Sequence, residues 1–143
     1  MITRGMMTSE HDDWETPQNF FDQLNAEFHF DADVCATPEN AKCGSYFTPE
    51  ADGLKQEWNS NKVYWCNPPY GRKIGAWITK AFAASRAGAT VICLVPARTD
   101  TAWWHDYCMK GEIRFIRGRL YFKRKGARSA APFPSAVVIF RPT

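Results

Sequence analysis

Lys62-Val63-Tyr64-Trp65-Cys66-Asn67-Pro68-Pro69-Tyr70-Gly71 runs from strand-forming residues straight into a stiff, polar, aromatic loop. Val63, Tyr64 and Trp65 favour the extended chain, and a proline has no N–H to give a central ladder, so the strand is expected to end at about Cys66. Two successive prolines fix φ and push the residue before each toward extended geometry, which keeps Asn67 out of a helix. The Asn67 amide, the proline carbonyls and the Tyr70 ring are thereby held in a set arrangement.

That arrangement suits one chemistry. A planar amino group such as adenine N6 carries two N–H donors and a poorly nucleophilic nitrogen. The Asn67 side-chain oxygen and the Pro68 carbonyl can each accept one of those hydrogens. Two such acceptors draw the nitrogen toward tetrahedral geometry and free its lone pair to attack an electrophile, while Tyr70 is expected to stack on the ring. A double proline alone is an ordinary loop stop; the asparagine before it and the aromatic after it supply the chemistry.

The chain has 143 residues, 45% hydrophobic and 15% aromatic, which points to one packed domain rather than disorder. A loose N-terminus is expected over residues 1–13, with the domain over 14–143. Five cysteines never fall in a CxxC spacing and histidines number only three, so no metal site is expected and a reduced, cytoplasmic setting is. No apolar run approaches the roughly 18 residues of a membrane span, and no secretory signal is visible.

Net charge is +3, and its distribution is uneven. Residues 111–143 hold eight Lys or Arg against one acid, Glu112; the first 110 hold ten basic and fourteen acidic side chains. Arg114, Arg117, Arg119, Lys123, Arg124, Lys125 and Arg128 make the basic concentration, either a solvated loop or a surface for a polyanion.

Thr16 followed by Pro17 reads as helix N-cap and first helical position, and Phe20, Phe21, Leu24 and Phe28 continue at helical spacing. A capping hydroxyl with free N–H groups can hold a carboxylate, which makes Thr16 a binding candidate. His29 to Ala36 reads as a strand closed by a turn at Thr37-Pro38-Glu39-Asn40. Asp33 at its carboxyl end is a candidate for an ammonium or hydroxyl of a cofactor, with Cys35 and Ala36 permitting close approach; turn capping is the competing role. Asp31 is the weaker acid. Tyr46-Phe47 suggests a short strand, Thr48-Pro49-Glu50 a turn, and Asp52 before Gly53 an acceptor for an amino group.

After the Asn-Pro-Pro-Tyr loop, Ile74, Trp77, Ile78, Ala81 and Phe82 form one face of a helix ended by Gly88. Ala89 to Val95 is continuous and apolar, a strand covered on both faces and stopped by Pro96. Thr99 or Asp100 is expected to cap another helix bearing Trp103, Trp104 and Tyr107. Ile113–Phe122 and Ser135–Phe140 are the last strands, joined by a basic loop of residues 123–134. The order gives an α/β fold: a mixed sheet, helices on both faces and an antiparallel C-terminal end.

Thr16-Pro17, then Phe30-Asp31-Ala32-Asp33-Val34-Cys35-Ala36, then Asn67-Pro68-Pro69-Tyr70 resemble the amino-group DNA methyltransferases. From Trp14 to Pro142 the chain more closely resembles the small phage-type, Dam-like DNA N6-adenine methyltransferases. Glu39-Asn40-Ala41-Lys42-Cys43, Leu94 to Thr101 and Gly118 to Phe122 are family-like stretches. The resemblance implies a Rossmann-like S-adenosylmethionine-dependent methyltransferase domain acting on adenine in double-stranded DNA, as in phage or restriction-modification systems. It implies Asn67, Pro68 and Tyr70 around a flipped adenine, with Pro69 shaping the loop. Asp33 would lie near the cofactor's methionine moiety, Thr16-Pro17 would support its carboxylate, Asp52 would meet its adenine, and Cys35, Ala36, Asn40 and Asn67 would complete the wall. The sequence departs from the larger enzymes in one respect: Ala36-Thr37 stands where their first motif ends in glycine.

Arg72, Lys73, Arg98, Arg119, Lys123, Arg124, Lys125 and Arg128 are the expected DNA contacts. Transfer would be direct, leaving Cys66 beside the motif as strand packing. Two other readings remain: the same fold acting on RNA or a protein glutamine amide, and a non-catalytic nucleic-acid-binding relative. A homodimer would let a short chain cover its site.

Overall fold

The computed structural model describes residues 15–124 and 127–142, with the side chains at 123, 124, 127 and 128 left aside. The expected loose terminus, Trp14 and Lys125 lie outside the described residues. A five-stranded mixed sheet is ordered β1 (Ala32–Asp33), β2 (Val63–Cys66), β3 (Thr90–Pro96), β7 (Ser135–Phe140), β4 (Glu112–Phe115), and a separate two-stranded sheet is formed by β5 (Tyr121–Arg124) and β6 (Ala127–Ala130). Its parallel part is β1 (Ala32–Asp33), β2 (Val63–Cys66) and β3 (Thr90–Pro96). The strand β7 (Ser135–Phe140) runs antiparallel between β3 and β4 (Glu112–Phe115). The antiparallel C-terminal end is therefore as the sequence implied.

Helices cover both faces, and β2 shows why. Neighbouring residues of a strand point to opposite sides. Trp65 meets Phe21 of α1 (Gln18–Phe28) edge-on at 5.3 Å, whereas Tyr64 packs on Trp58, which packs on Trp77 of α2 (Ile74–Arg86). The core lies along β3 and β7: Val91 to Val95 and Ala136 to Phe140 are all buried. Arg114 of β4 forks onto both carboxylate oxygens of Glu27 at 2.7 Å, tying the end of α1 to the far edge of the sheet.

Four local expectations are corrected. Helix α1 begins at Gln18, because Pro17 occupies the N-cap in extended geometry and its carbonyl accepts from Phe21 N; Thr16 does not cap it. The strand expected from His29 shrinks to Ala32–Asp33, since His29 closes α1 with φ 57° and Asp31 binds Val63 N through its carboxylate. Thr101, not Thr99 or Asp100, caps α3 (Ala102–Asp106), its hydroxyl accepting from Trp104 N at 3.3 Å. Residues 113–122 are not one strand: Gly118 turns at φ 75°, and β5 (Tyr121–Arg124) pairs with β6 (Ala127–Ala130), so the basic loop is a hairpin.

Two glycines fix loops that matter below. A Cβ at Gly88, where φ is 110°, would stand 2.8 Å from Ser60 Cβ. One at Gly53 would stand 2.1 Å from the Val34 carbonyl oxygen and 2.9 Å from the Trp77 ring. Only glycine lets the 48–55 loop approach the end of β1 so closely.

Candidate active site

The parallel register sets Asp33 beside Trp65, so the chain leaves β1 and β2 on the same edge of the sheet, where open α/β sheets bind ligands. Those exits wall a cavity of about 170 Å³. Asp33, Cys35, Ala36 and Asn40 contribute from the first exit, Asn67, Pro68 and Pro69 from the second, and Thr16 from the entry to α1. Eight candidates from distant stretches thus share one space. Pro17 stays outside it as the helix cap.

Thr16 is buried, and its hydroxyl accepts from Asn67 Nδ2 at 3.0 Å. That contact joins residues 51 positions apart and fixes how the Asn67 amide is turned. The amide oxygen, Oδ1, is buried as well. Tyr70 is only 3% exposed and lines neither cavity described here. Its hydroxyl donates to the Leu94 carbonyl at 3.1 Å, and its ring meets Phe133 and Phe122 edge-on at 5.5 and 6.3 Å. Burial holds the Tyr70 hydroxyl well above the ordinary tyrosine range, so it is a neutral donor.

Asp33, Asn40 and Asp52 each close their own turn. Asp33 accepts from Cys35 N and Lys42 N, both at 3.1 Å, which folds residues 33–42 around its carboxylate. Burial raises its pKa from 3.8 to about 6, opposed by those two N–H groups and by the Lys42 charge. Asn40 Oδ1 accepts from Thr37 N at 2.7 Å, and Asp52 Oδ1 from Leu54 N at 3.1 Å. Turn capping, the competing role for Asp33, is therefore real there, and Asn40 and Asp52 share it; in all three it coexists with a place on a cavity wall.

Burial pushes the Cys35 thiol up to about 12 and the Cys66 thiol well above its ordinary range, so both are protonated at neutral pH. Cys66 pairs in register with Cys93 inside the sheet, in keeping with strand packing. Among the described residues no cluster of His, Cys, Asp or Glu could hold a metal ion.

A second cavity, about 210 Å³, shares Cys35, Pro49 and Pro69 with the first. Phe47, Leu54 and Trp77 give it apolar and aromatic walls, and Asp52 and Lys73 its charges. Trp77 Nε1 is buried with no acceptor among the described residues. Neither cavity alone reaches the roughly 300 Å³ of a small-molecule site, but together they do.

Sequence reasoning missed Lys42 and Glu15, which line the first cavity, and placed Lys73 on a DNA surface although it borders the second. A lysine in a polar turn reads as solvent-facing, and nothing in its spacing says otherwise. Part of the basic concentration is engaged within the protein. Arg114 is held by Glu27 and Glu112, and Arg119 donates to the Ala131 carbonyl at 3.5 Å. Arg72 and Arg117 are exposed, and Arg98 is half-buried just past the end of β3. The side chains of Lys123, Arg124 and Arg128, like all of Lys125, lie outside the described residues. No described helix is long and apolar enough to cross a membrane.

The chain is 33% identical over 94 residues to the DNA N-6-adenine-methyltransferase of Escherichia phage T1, covering 65% of this chain and 39% of that protein. It is 32% identical over 113 residues to the DNA N-6-adenine-methyltransferase of Haemophilus phage HP1, strain HP1c1, covering 76% and 64%. The match thus spans about two fifths of one relative and under two thirds of the other. The family model described as DNA N-6-adenine-methyltransferase (Dam) matches residues 4–143, and the chain belongs to that family.

Proposed function

We propose that the protein is a Rossmann-like, S-adenosylmethionine-dependent methyltransferase acting on the N6 amino group of adenine in double-stranded DNA. The observation that carries this reading is the meeting of Asn67 and Pro68 with Asp33 and Asn40 in one cavity. The parallel register of β1 and β2 brings the amine acceptor and the candidate cofactor residues to the sheet edge where such folds bind ligands.

The side chains fit a nucleoside joined to an amino acid. The first cavity offers a lysine and two carboxylates, Lys42, Glu15 and Asp33, for a zwitterion. The second offers Phe47, Leu54 and Trp77 for a flat base and Asp52 for an amino group or a hydroxyl. Cys35, Pro49 and Pro69, shared by both, lie where the middle of such a molecule would pass. S-adenosylmethionine would supply an electrophilic methyl group on its sulfonium.

The chain's own part is binding and orientation. Asn67 Oδ1 and the Pro68 carbonyl would accept the two N6 hydrogens, with the Asn67 amide turned by Thr16. No side chain need become a covalent nucleophile, and the buried, protonated thiols agree with that. Holding amine and methyl in line would supply much of the acceleration. The target base must first leave the duplex, at a cost of a few kcal/mol. Stacking of that base on Tyr70 requires the Phe122 and Phe133 cover to shift, because the ring is enclosed. The basic hairpin, with Arg72, Arg117 and Arg98, would grip phosphates.

Incubation with labelled S-adenosylmethionine and DNA, followed by nucleoside analysis, tests the reading. Label is expected in N6-methyladenine; label only in protein, or none, would overturn it.

A further inference from the structure

Lys42 is an unusual lysine. Its side chain is only 6% exposed, yet it lines a cavity rather than the outer surface. An ammonium carries three N–H donors and is costly to remove from water unless they are met. Among the described residues Nζ makes one hydrogen bond, to Gln18 Oε1 at 3.0 Å, and a long pair with Glu15 Oε2 at 3.7 Å. Its backbone N–H is meanwhile fixed on Asp33 Oδ2, so the base of the side chain cannot drift. A positive charge is held in place with less hydrogen bonding than it can use. Asp33 supplies the complementary negative charge in the same cavity.

We propose that Lys42 recognises the α-carboxylate of the cofactor, with Asp33 facing its ammonium. The amino-acid end then lies in the first cavity and the base in the second. The proposal rests on the cofactor reading above. It takes the cofactor's direction from that reading and moves the carboxylate from Thr16-Pro17, where the hydroxyl accepts from Asn67 and the carbonyl from Phe21 N, to Lys42. Glu15 at 3.7 Å is the partner the carboxylate replaces.

Calorimetry without DNA or turnover tests this with two ligands that share the nucleoside: S-adenosylhomocysteine, which keeps the amino-acid end, and 5′-methylthioadenosine, which lacks it. Lys42→Gln should weaken S-adenosylhomocysteine about 10- to 100-fold, the scale of a hydrogen bond to a charged group, and leave 5′-methylthioadenosine within about twofold. Lys42→Arg, which keeps the charge, should recover most of the loss. Equal weakening of both ligands, or of neither, overturns the assignment. Should Lys42→Gln fail to fold, the wild-type protein decides: decarboxylated S-adenosylhomocysteine keeps the ammonium, and its binding as tightly as the parent refutes a carboxylate contact. A wild-type protein that binds neither nucleoside overturns the cofactor reading itself, whereas normal binding unaffected by position 42 overturns the Lys42 assignment alone.

Discussion

Acidifying the protein from about pH 7 to about pH 5 should stabilise it through Asp33, the reverse of what a salt-bridged carboxylate does. Burial outweighs two backbone N–H bonds and the Lys42 charge and raises this group from 3.8 to about 6. The folded state therefore binds a proton more tightly than the unfolded chain. Stability rises as pH falls through the folded value toward the unfolded one, and above the folded value the penalty is constant. The distance from 3.8 to about 6, at 1.36 kcal/mol per pH unit, sets a ceiling of about 3 kcal/mol, of which about 1 kcal/mol falls between pH 7 and 5. For a chain of this length that is about 2–4 °C in melting temperature.

Glu27 and Glu112 work in the opposite sense. Arg114 holds Glu27, and Arg141 with Arg114 holds Glu112, below the ordinary carboxylate range. Their contribution is present above the unfolded pKa and is lost progressively as pH falls below it through the still lower folded values. The measurement is a set of thermal melts of wild type and Asp33→Asn across this range. Asparagine keeps one acceptor, leaving Cys35 N or Lys42 N unpaired at a cost of about 1–3 kcal/mol, but it also removes the buried charge; near pH 7 the two effects offset, and the variant should fall behind wild type as pH drops. The slopes carry the information: wild type should gain on acidification relative to the variant. Parallel slopes would refute a buried, proton-attracting Asp33. If the cofactor's ammonium faces this carboxylate, S-adenosylhomocysteine should also bind more tightly as pH rises through about 6.

Four further outcomes are expected. Asn67→Ala should reduce methyl transfer about 100-fold or more, since it removes one oriented partner of the reacting amine, and should cost about 0.5–1.5 kcal/mol of stability for the lost bond to Thr16; near-normal transfer in a folded variant would end the acceptor model. Tyr70→Phe should cost about 0.5–1.5 kcal/mol in chemical denaturation for the missing bond to Leu94, and Tyr70→Ala about 3–5 kcal/mol for the cavity among Phe122, Phe133 and the sheet. Gly53→Ala should destabilise strongly and abolish nucleoside binding, because the 48–55 loop must move off the Val34 carbonyl. Reversing charge at Lys123, Arg124 and Lys125 should weaken DNA binding and flatten its salt dependence by about 0.9 in log–log slope for each phosphate no longer neutralised; unchanged affinity would remove the hairpin from the interface.

How much of this was legible beforehand depended on whether the signal was local. Val63 to Cys66, the stop at Asn67, Ile74 to Arg86 and the buried run of β3 follow from periodicity and proline chemistry, and all stand where the sequence put them. The errors came where tertiary partners overrode local preference. Thr16 looked like a cap because Ser and Thr usually are, but its hydroxyl is claimed by Asn67, far along the chain. Residues 113–122 alternate well enough for a strand, yet the bend at Gly118 sends the second half to pair with β6. Arg114 counted toward a polyanion surface until Glu27, on another element, proved to hold it. Lys42 could not be singled out, because its burial arises from the fold of residues 33–42 about Asp33 and not from its neighbours in sequence.

The double duty of the site's polar residues bears on how a few short turns can both shape a cavity and line it. Asp33, Asn40 and Asp52 spend part of their acceptor capacity on backbone N–H groups two to nine residues away. A carboxylate has about four lone-pair positions and an amide oxygen two, so each can close a turn and still meet a ligand. The same bond that shapes the wall also aims the side chain, which serves in place of a dedicated supporting shell. The cost is that function and folding cannot be separated at these positions: replacing any of them releases a turn as well as a ligand partner. Lys42 and Asn67 differ, because their side-chain partners, Gln18, Glu15 and Thr16, come from the start of α1 and the segment before it. Substitution there leaves the turns intact. These two positions, one proposed for the cofactor and one for the amine, are therefore where a loss of activity can be read as chemistry.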